Sequence, residues 1–196
     1  QPFADLLKFI LKEDIVPDKS TRFIYFLAPV IATMAALMAM IVYPFGPEVH
    51  LPWIGVIPLV VAHFDVGLLY VLGVTSVGVY GIALAGWSSN NKYSLMGGLR
   101  SSAQMISYEI PLVLSSLTVV MMVGSLSLPQ IVAAQDHYTG TLAHWHIFKP
   151  WGFAGCILFL IAALAESNRS PFDLPEAESE IIAGYFVEYS GFKFAL

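Results

Sequence analysis

FIYFLAPVIATMAALMAMIVYP, residues 23–44, runs without a single charged side chain. A helix needs about 20 predominantly apolar residues to cross the hydrocarbon core of a bilayer, and this run is long enough. Its apolar residues are continuous rather than set in a stripe, so no polar face is left for water. Residues 66–86, 104–123 and 150–165 repeat the pattern, and a fifth apolar segment starts near Ile181 and continues to the last residue. The expected fold class is therefore all-α: a polytopic helical membrane protein with about five transmembrane helices, forming one transmembrane domain over residues 1–196.

Composition agrees. The chain is 57% hydrophobic and 12% charged, about half the charged fraction of a soluble domain, and its mean hydropathy is +0.73. The net charge is −5, and the basic residues form no dense patch, which excludes a nucleic-acid partner. A lone Cys156 cannot make an internal disulfide or supply the several thiolates of an iron–sulfur cluster. The sequence opens on Gln1 rather than Met and stops at Leu196 inside an apolar segment, so it reads as an internal piece of a longer protein.

Orientation follows from Lys and Arg, which favour cytoplasmic loops. Lys8, Lys12, Lys19 and Arg22 precede the first span, Lys92 and Arg100 separate the second from the third, and Arg169 follows the fourth. The intervening segments 45–65 and 124–149 contain only Lys149. Segments 1–22, 87–103 and 166–180 are thus expected to face the cytoplasm. Within the first of these, Phe3, Leu6, Leu7, Ile10 and Leu11 recur at helical spacing, with Asp5, Lys8 and Lys12 on another face. That pattern predicts an amphipathic helix lying at the membrane interface.

The loop 45–65, punctuated by Pro47, Pro52 and Pro58, is expected to be irregular or re-entrant. His137, His144 and His146 share the other external loop, but their spacing matches no strong zinc pattern and no cysteine joins them. No metal site is expected. No histidine lies deep in a span, so axial ligands for a b-type haem are absent from the spans.

Two features carry charge into this apolar background. The first is Glu109, in QMISYEIPLVLSSL (104–117), two residues before Pro111. A carboxylate at mid-helix depth costs about 2.5–3.5 kcal/mol on insertion scales, and proline frees a backbone carbonyl that something polar must satisfy. Glu109 is either a proton-carrying acid facing a polar cavity or an interfacial residue that snorkels or pairs with Arg100.

The second is AESNRSPFDLPEAESEIIAGYFVEYSG, residues 165–191, which holds six carboxylates. Asp173, Pro175 and Glu176 resemble a helix start with a capping box. On the helix expected to follow, Glu176 and Glu180 share a face and repel, Glu188 lies two turns deeper, and Glu178 points elsewhere. Glu166 ends one span and Glu188 enters the next. Clustered carboxylates at a membrane boundary cannot all stay ionised cheaply, so some should hold protons near neutral pH. Glu178 best suits a solvated loop; the others suggest a carboxylate-lined passage into the bilayer. Arg169 either keeps selected acids ionised or holds the loop's shape.

Three blocks, QPFADLLKFILKED (1–14), WSSNNKYSLMGGLRSSAQMISYEIP (87–111) and the acidic stretch, closely resemble in order the quinone-channel membrane subunit of respiratory complex I. That enzyme is the proton-pumping NADH–quinone oxidoreductase, and the subunit is called H in bacteria and 1 in mitochondria. The resemblance implies a fragment of an eight-helix subunit lacking the first span and the last two. It implies a subunit without redox centres in a translocase, placed multi-pass in a bacterial inner membrane. Quinone would be the substrate, with no cofactor held by this chain alone. The implied partners are peripheral-arm quinone-site and iron–sulfur subunits, small membrane subunits, antiporter-like subunits and the lipid membrane. By motif, Asp5 matches an acid near the quinone cavity and Glu109 a channel acid. Glu166, Glu176, Glu178, Glu180 and Glu188 match acids of the third cytoplasmic loop and the helix after it, with Arg169 and Asp173 as polar members. No residue is implied to be catalytic in the strict sense. The rival readings are the membrane subunit of an energy-converting hydrogenase, which PFDLPEAESE and VEYSG resemble less, and a free-standing ion transporter, which the lack of inverted-repeat symmetry disfavours.

Overall fold

The computed structural model describes residues 8, 11–13, 15–46, 49–51, 55–57, 59–136, 138–139, 142–173, 184–191 and 193. Helix α1 is Arg22–Met40, α2 Gly67–Ser88, α3 Lys92–Val123, α4 the short Leu128–Ala133 and α5 Pro150–Glu166. Strands β1 (Val49–Leu51) and β2 (Gly55–Ile57) lie between α1 and α2, while β3 (Tyr138–Thr139), β4 (Leu142–Ala143) and a 3-10 turn at His146–Phe148 lie between α4 and α5. Among the described residues α1, α2 and α3 are long and apolar enough to cross a membrane, and α5 is a shorter apolar helix of 17 residues. The expected helical membrane architecture is present.

Side-chain placement fits a lipid solvent. Phe23, Met121 and Trp151 are more than three-quarters exposed, whereas Ser88, Ser94 and Ser101 are almost fully buried. Water would favour the reverse arrangement. In lipid, helices associate through small residues that permit close approach. Gly86 and Gly98 show this: a Cβ on Gly86 would stand 2.8 Å from the Ser94 carbonyl oxygen and 3.1 Å from the Gly98 Cα.

The chain divides into two compact units, one of Gln1–Ala35, Ser76–Glu109 and Leu164–Leu196, the other of Ala36–Thr75 and Ile110–Ala163. Eight of the nine basic residues fall in the first and Lys149 alone in the second. Within the first unit the Thr21 N–H donates to the Ser88 carbonyl at 3.1 Å, joining two of the basic segments at their ends. The second unit is centred on Ala39, Val42 and Val71, with Tyr70 and Leu128 packed against them. There Gly155 approaches Thr118 so closely that a Cβ would meet its hydroxyl.

The structure corrects two expectations and extends a third. The third span expected at 104–123 lies inside a longer helix: α3 begins at Lys92 and has 32 residues, about 48 Å of helix. Asn91 caps it, accepting the Tyr93 N–H on its side-chain oxygen at 3.0 Å, and the Gly97–Gly98 pair serves close packing rather than a loop. Segment 45–65 is not wholly irregular, since β1 and β2 pair antiparallel with Val49 opposite Ile57. Residues 184–188 form turns instead of continuing a helix, with Gly184 and Gly191 at φ of 22° and 62°, a region that disfavours residues with a Cβ. Of the rest of the fifth segment, residues 189–191 and 193 are described and 181–183, 192 and 194–196 lie outside the described residues. At the N-terminus Lys8 and Leu11 are helical and the Lys12 N–H bonds the Lys8 carbonyl at 3.0 Å; the other residues of the amphipathic pattern are outside the described set, except Lys12.

Candidate functional site

In the first unit Glu109 lies on α3, and Gln104 and Asn91 tie the chain beside Glu166 and Glu188 to the same helix. Glu109 is half-buried, and the Ser76 hydroxyl of α2 donates to its Oε1. Arg100 stands nine residues earlier on the same continuous helix, hence on the opposite face and about 14 Å along the axis. That geometry removes the interfacial pairing of Glu109 with Arg100. Glu166, the last residue of α5 and also half-buried, lies within electrostatic reach of Glu109.

A polar clamp fixes the chain just beyond Glu166. The Gln104 side-chain amide donates to the Ala165 carbonyl at 3.0 Å, the Asn168 Oδ1 at 3.1 Å and the Phe172 carbonyl at 2.9 Å. Ser101 and Tyr108, one turn to either side, add a 3.5 Å contact to the Asn168 amide and an edge-on ring contact to Phe172. The three residues share one face of α3. Asn168 itself is buried with φ of 48°, a conformation Asn tolerates better than most residues. Arg169 and Asp173 are exposed on this turn.

Glu188 occupies the other end. Its Oε1 accepts the Asn91 side-chain N–H at 2.8 Å, and its backbone carbonyl accepts the Tyr25 hydroxyl at 2.7 Å. The rings of Tyr25 and Tyr189 stack at 4.2 Å. Pro29 of α1 lacks the N–H that would bond the Tyr25 carbonyl, and the Tyr189 hydroxyl donates to that oxygen at 3.1 Å. From Asn91 to Glu109 is about 27 Å of helix, so Glu188 and Glu109 mark separated points on one α3 axis.

The structure thus leaves Glu109 and Glu166 within each other's electrostatic influence, sets Glu188 apart at the start of α3, and leaves Arg169 and Asp173 at the surface. Asp5, Glu176, Glu178 and Glu180 lie outside the described residues. Sequence reasoning missed Ser76, Asn91, Gln104, Tyr25 and Tyr189. The available signal was that polar residues inside or beside apolar spans need partners. In the second unit His146 is buried and neither ring nitrogen has a hydrogen-bond partner among the described residues. Burial, then the nearby Lys149 charge, hold its pKa below the usual 6.5. No group of three metal-ligating side chains occurs among the described residues.

Comparison with known proteins adds a family. The NADH dehydrogenase family profile matches residues 1–196. The chain is 47% identical over its full length to the H-type NADH-quinone oxidoreductase subunit of Salinibacter ruber, covering 53% of that protein. It is 51% identical to the second H-type subunit of Syntrophobacter fumaroxidans, covering 56%, and 49% identical to NADH-quinone oxidoreductase subunit 8 of Rhodothermus marinus, covering 54%. The chain spans about half the length of these relatives.

Proposed function

The chain belongs to the NADH dehydrogenase family, among the H-type subunits of NADH-quinone oxidoreductase, and from that premise we propose that it forms part of a quinone cavity and an acidic channel coupling quinone reduction to proton translocation. The observation that carries this is the alignment of half-buried carboxylates with neutral donors along α3: Glu188 with Asn91, then Glu109 with Ser76 and within electrostatic reach of Glu166. A serine or asparagine donor steadies a carboxylate without cancelling its charge, which leaves the acid free to exchange a proton.

Reduction of a quinone to a quinol takes two electrons and two protons. The electrons come from partner subunits with flavin and iron–sulfur centres, since the cofactor chemistry lies outside this chain. Negative charge developing on the quinone raises the proton affinity of neighbouring acids and is relayed through coupled sites. Glu176 and Glu180 fall in sequence between Phe172, held by Gln104, and Glu188, held by Asn91, and complete the relay, with Glu178 on its solvated side and Asp5 beside the quinone. The assembly works as a translocase in a bacterial inner membrane, with peripheral-arm, small membrane and antiporter-like partners. The relatives' names favour quinone chemistry over a hydrogenase role.

The test is replacement of Glu188 or Glu180 by Gln in the assembled enzyme, with quinone reduction and proton uptake measured together. Both are expected to fall. Wild-type rates of both in each variant would remove the channel reading.

A further inference from the structure

Asn91 uses both ends of its amide. The Tyr93 N–H can only donate, so the atom facing it at 3.0 Å is oxygen, and the NH2 is left facing the Glu188 carboxylate at 2.8 Å. We propose that Asn91 is a positioning residue that aims and steadies the Glu188 carboxylate from the first turn of α3. This rests on the reading of Glu188 as a proton-carrying acid.

The surroundings explain why such a residue is needed. Glu188 sits in a turn, not on a helix, so no helical backbone fixes its side chain. Its backbone is held from several directions: the Tyr25 hydroxyl on its own carbonyl, the Ser94 hydroxyl on the Tyr185 carbonyl at 2.8 Å, and Gly97 in contact with Gly184. These contacts fix where the residue is but not where the carboxylate points. The Asn91 amide does that, because its own oxygen is committed to the helix cap. Among the described residues, the ionisable groups on the elements packed around Glu188 include Tyr25 on α1, Tyr189 in the same turn, Lys92 and Tyr93 at the start of α3, Lys193, whose ammonium lies over the Tyr25 and Phe26 rings at 5.4 and 4.1 Å, and Glu13, Asp18 and Lys19 on the segment that Ile15 and Val16 hold against Ser190 and Tyr189.

Asp and Ser cap helices about as well as Asn, so Asn91→Asp and Asn91→Ser keep the cap and differ in what they show Glu188. Asp presents only acceptors, and two touching carboxylates repel until one proton is shared between them. In the assembled enzyme, Asn91→Asp is expected to lower quinone reduction about tenfold at about pH 8, the equivalent of one pKa unit of interaction, and to recover most of it at about pH 6. Asn91→Ser is expected to show a smaller loss that does not change with pH. The subunit carrying Asn91→Asp should also unfold at a lower temperature at the higher pH, and adding Glu188→Gln should abolish that difference. Equal, pH-independent behaviour of the two Asn91 variants would reduce Asn91 to a helix cap and overturn the proposal, as would a pH-dependent stability loss that survives Glu188→Gln. Wild-type activity of Glu188→Gln alone, with the stability coupling intact, would instead remove the functional role of Glu188 and leave the contact standing.

Discussion

The amide of Gln104 donates to the Phe172 carbonyl oxygen at 2.9 Å while also bonding Ala165 and Asn168. One side chain in the middle of α3 thereby sets the path by which the chain leaves α5.

Gln104→Leu keeps the size and removes the two N–H donors that the Ala165, Asn168 and Phe172 oxygens share at a part-buried site. Each such loss costs about 1–3 kcal/mol when water cannot replace it. Faster amide exchange over residues 167–173 and a several-fold fall in quinone reduction are expected in the assembled enzyme. Unchanged exchange there would show that the clamp is not what orders the turn.

Tyr189→Phe takes away the hydroxyl that bonds the carbonyl left open by Pro29, at an expected cost of about 1–3 kcal/mol. Pro29→Ala restores an N–H for the same carbonyl. In that background Tyr189→Phe should cost clearly less, and thermal unfolding of the four proteins of the cycle measures the difference.

Two glycines make a contrast in helix packing. A Cβ on Gly97 would lie 2.7 Å from the Gly184 carbonyl carbon, which is backbone and cannot swing aside, whereas one on Gly73 would meet nothing within 4 Å. Gly97→Ala is therefore expected to destabilise by about 1–3 kcal/mol and to loosen residues 184–191 in exchange measurements. Gly73→Ala should be neutral or stabilising by about 0.5–1 kcal/mol, through the lower backbone entropy of its unfolded form.

His146 gives a pH dependence with a definite sign. Its pKa is lowered in the folded protein, so the unfolded chain binds its proton more readily. The stability tied to neutral His146 is complete above the ordinary value of 6.5 and drains away as pH falls below it. Exchange protection of residues 128–150 should drop on acidification to about pH 5, and His146→Phe, which cannot be protonated, should flatten that response.

The spans were legible because a continuous apolar run of sufficient length admits few other structures. The start of α3 was not, because the buried serines and the Gly97–Gly98 pair resemble a loop until Gly86 is seen against them. Glu109 and Glu166 could be recognised as costly, and the pairing between Glu109 and Arg100 falls only once α3 is known to run unbroken through both. Asn91 and Tyr25 meet Glu188 across 97 and 163 residues of chain. No local pattern announces such a meeting. The helical spacing around Glu188 predicts a helix, and the two glycines at positive φ on either side are what direct it into turns.

The bond between Tyr25 and Tyr189 also has a history in time. Its two ends are separated by 164 residues, which a ribosome working at about 5–20 residues per second covers in roughly ten to thirty seconds. Through that interval the first helix is already made, with the notch at Pro29 unfilled. The notch closes only when the segment carrying Tyr189 emerges, so Pro29 reserves a berth for a tyrosine made much later.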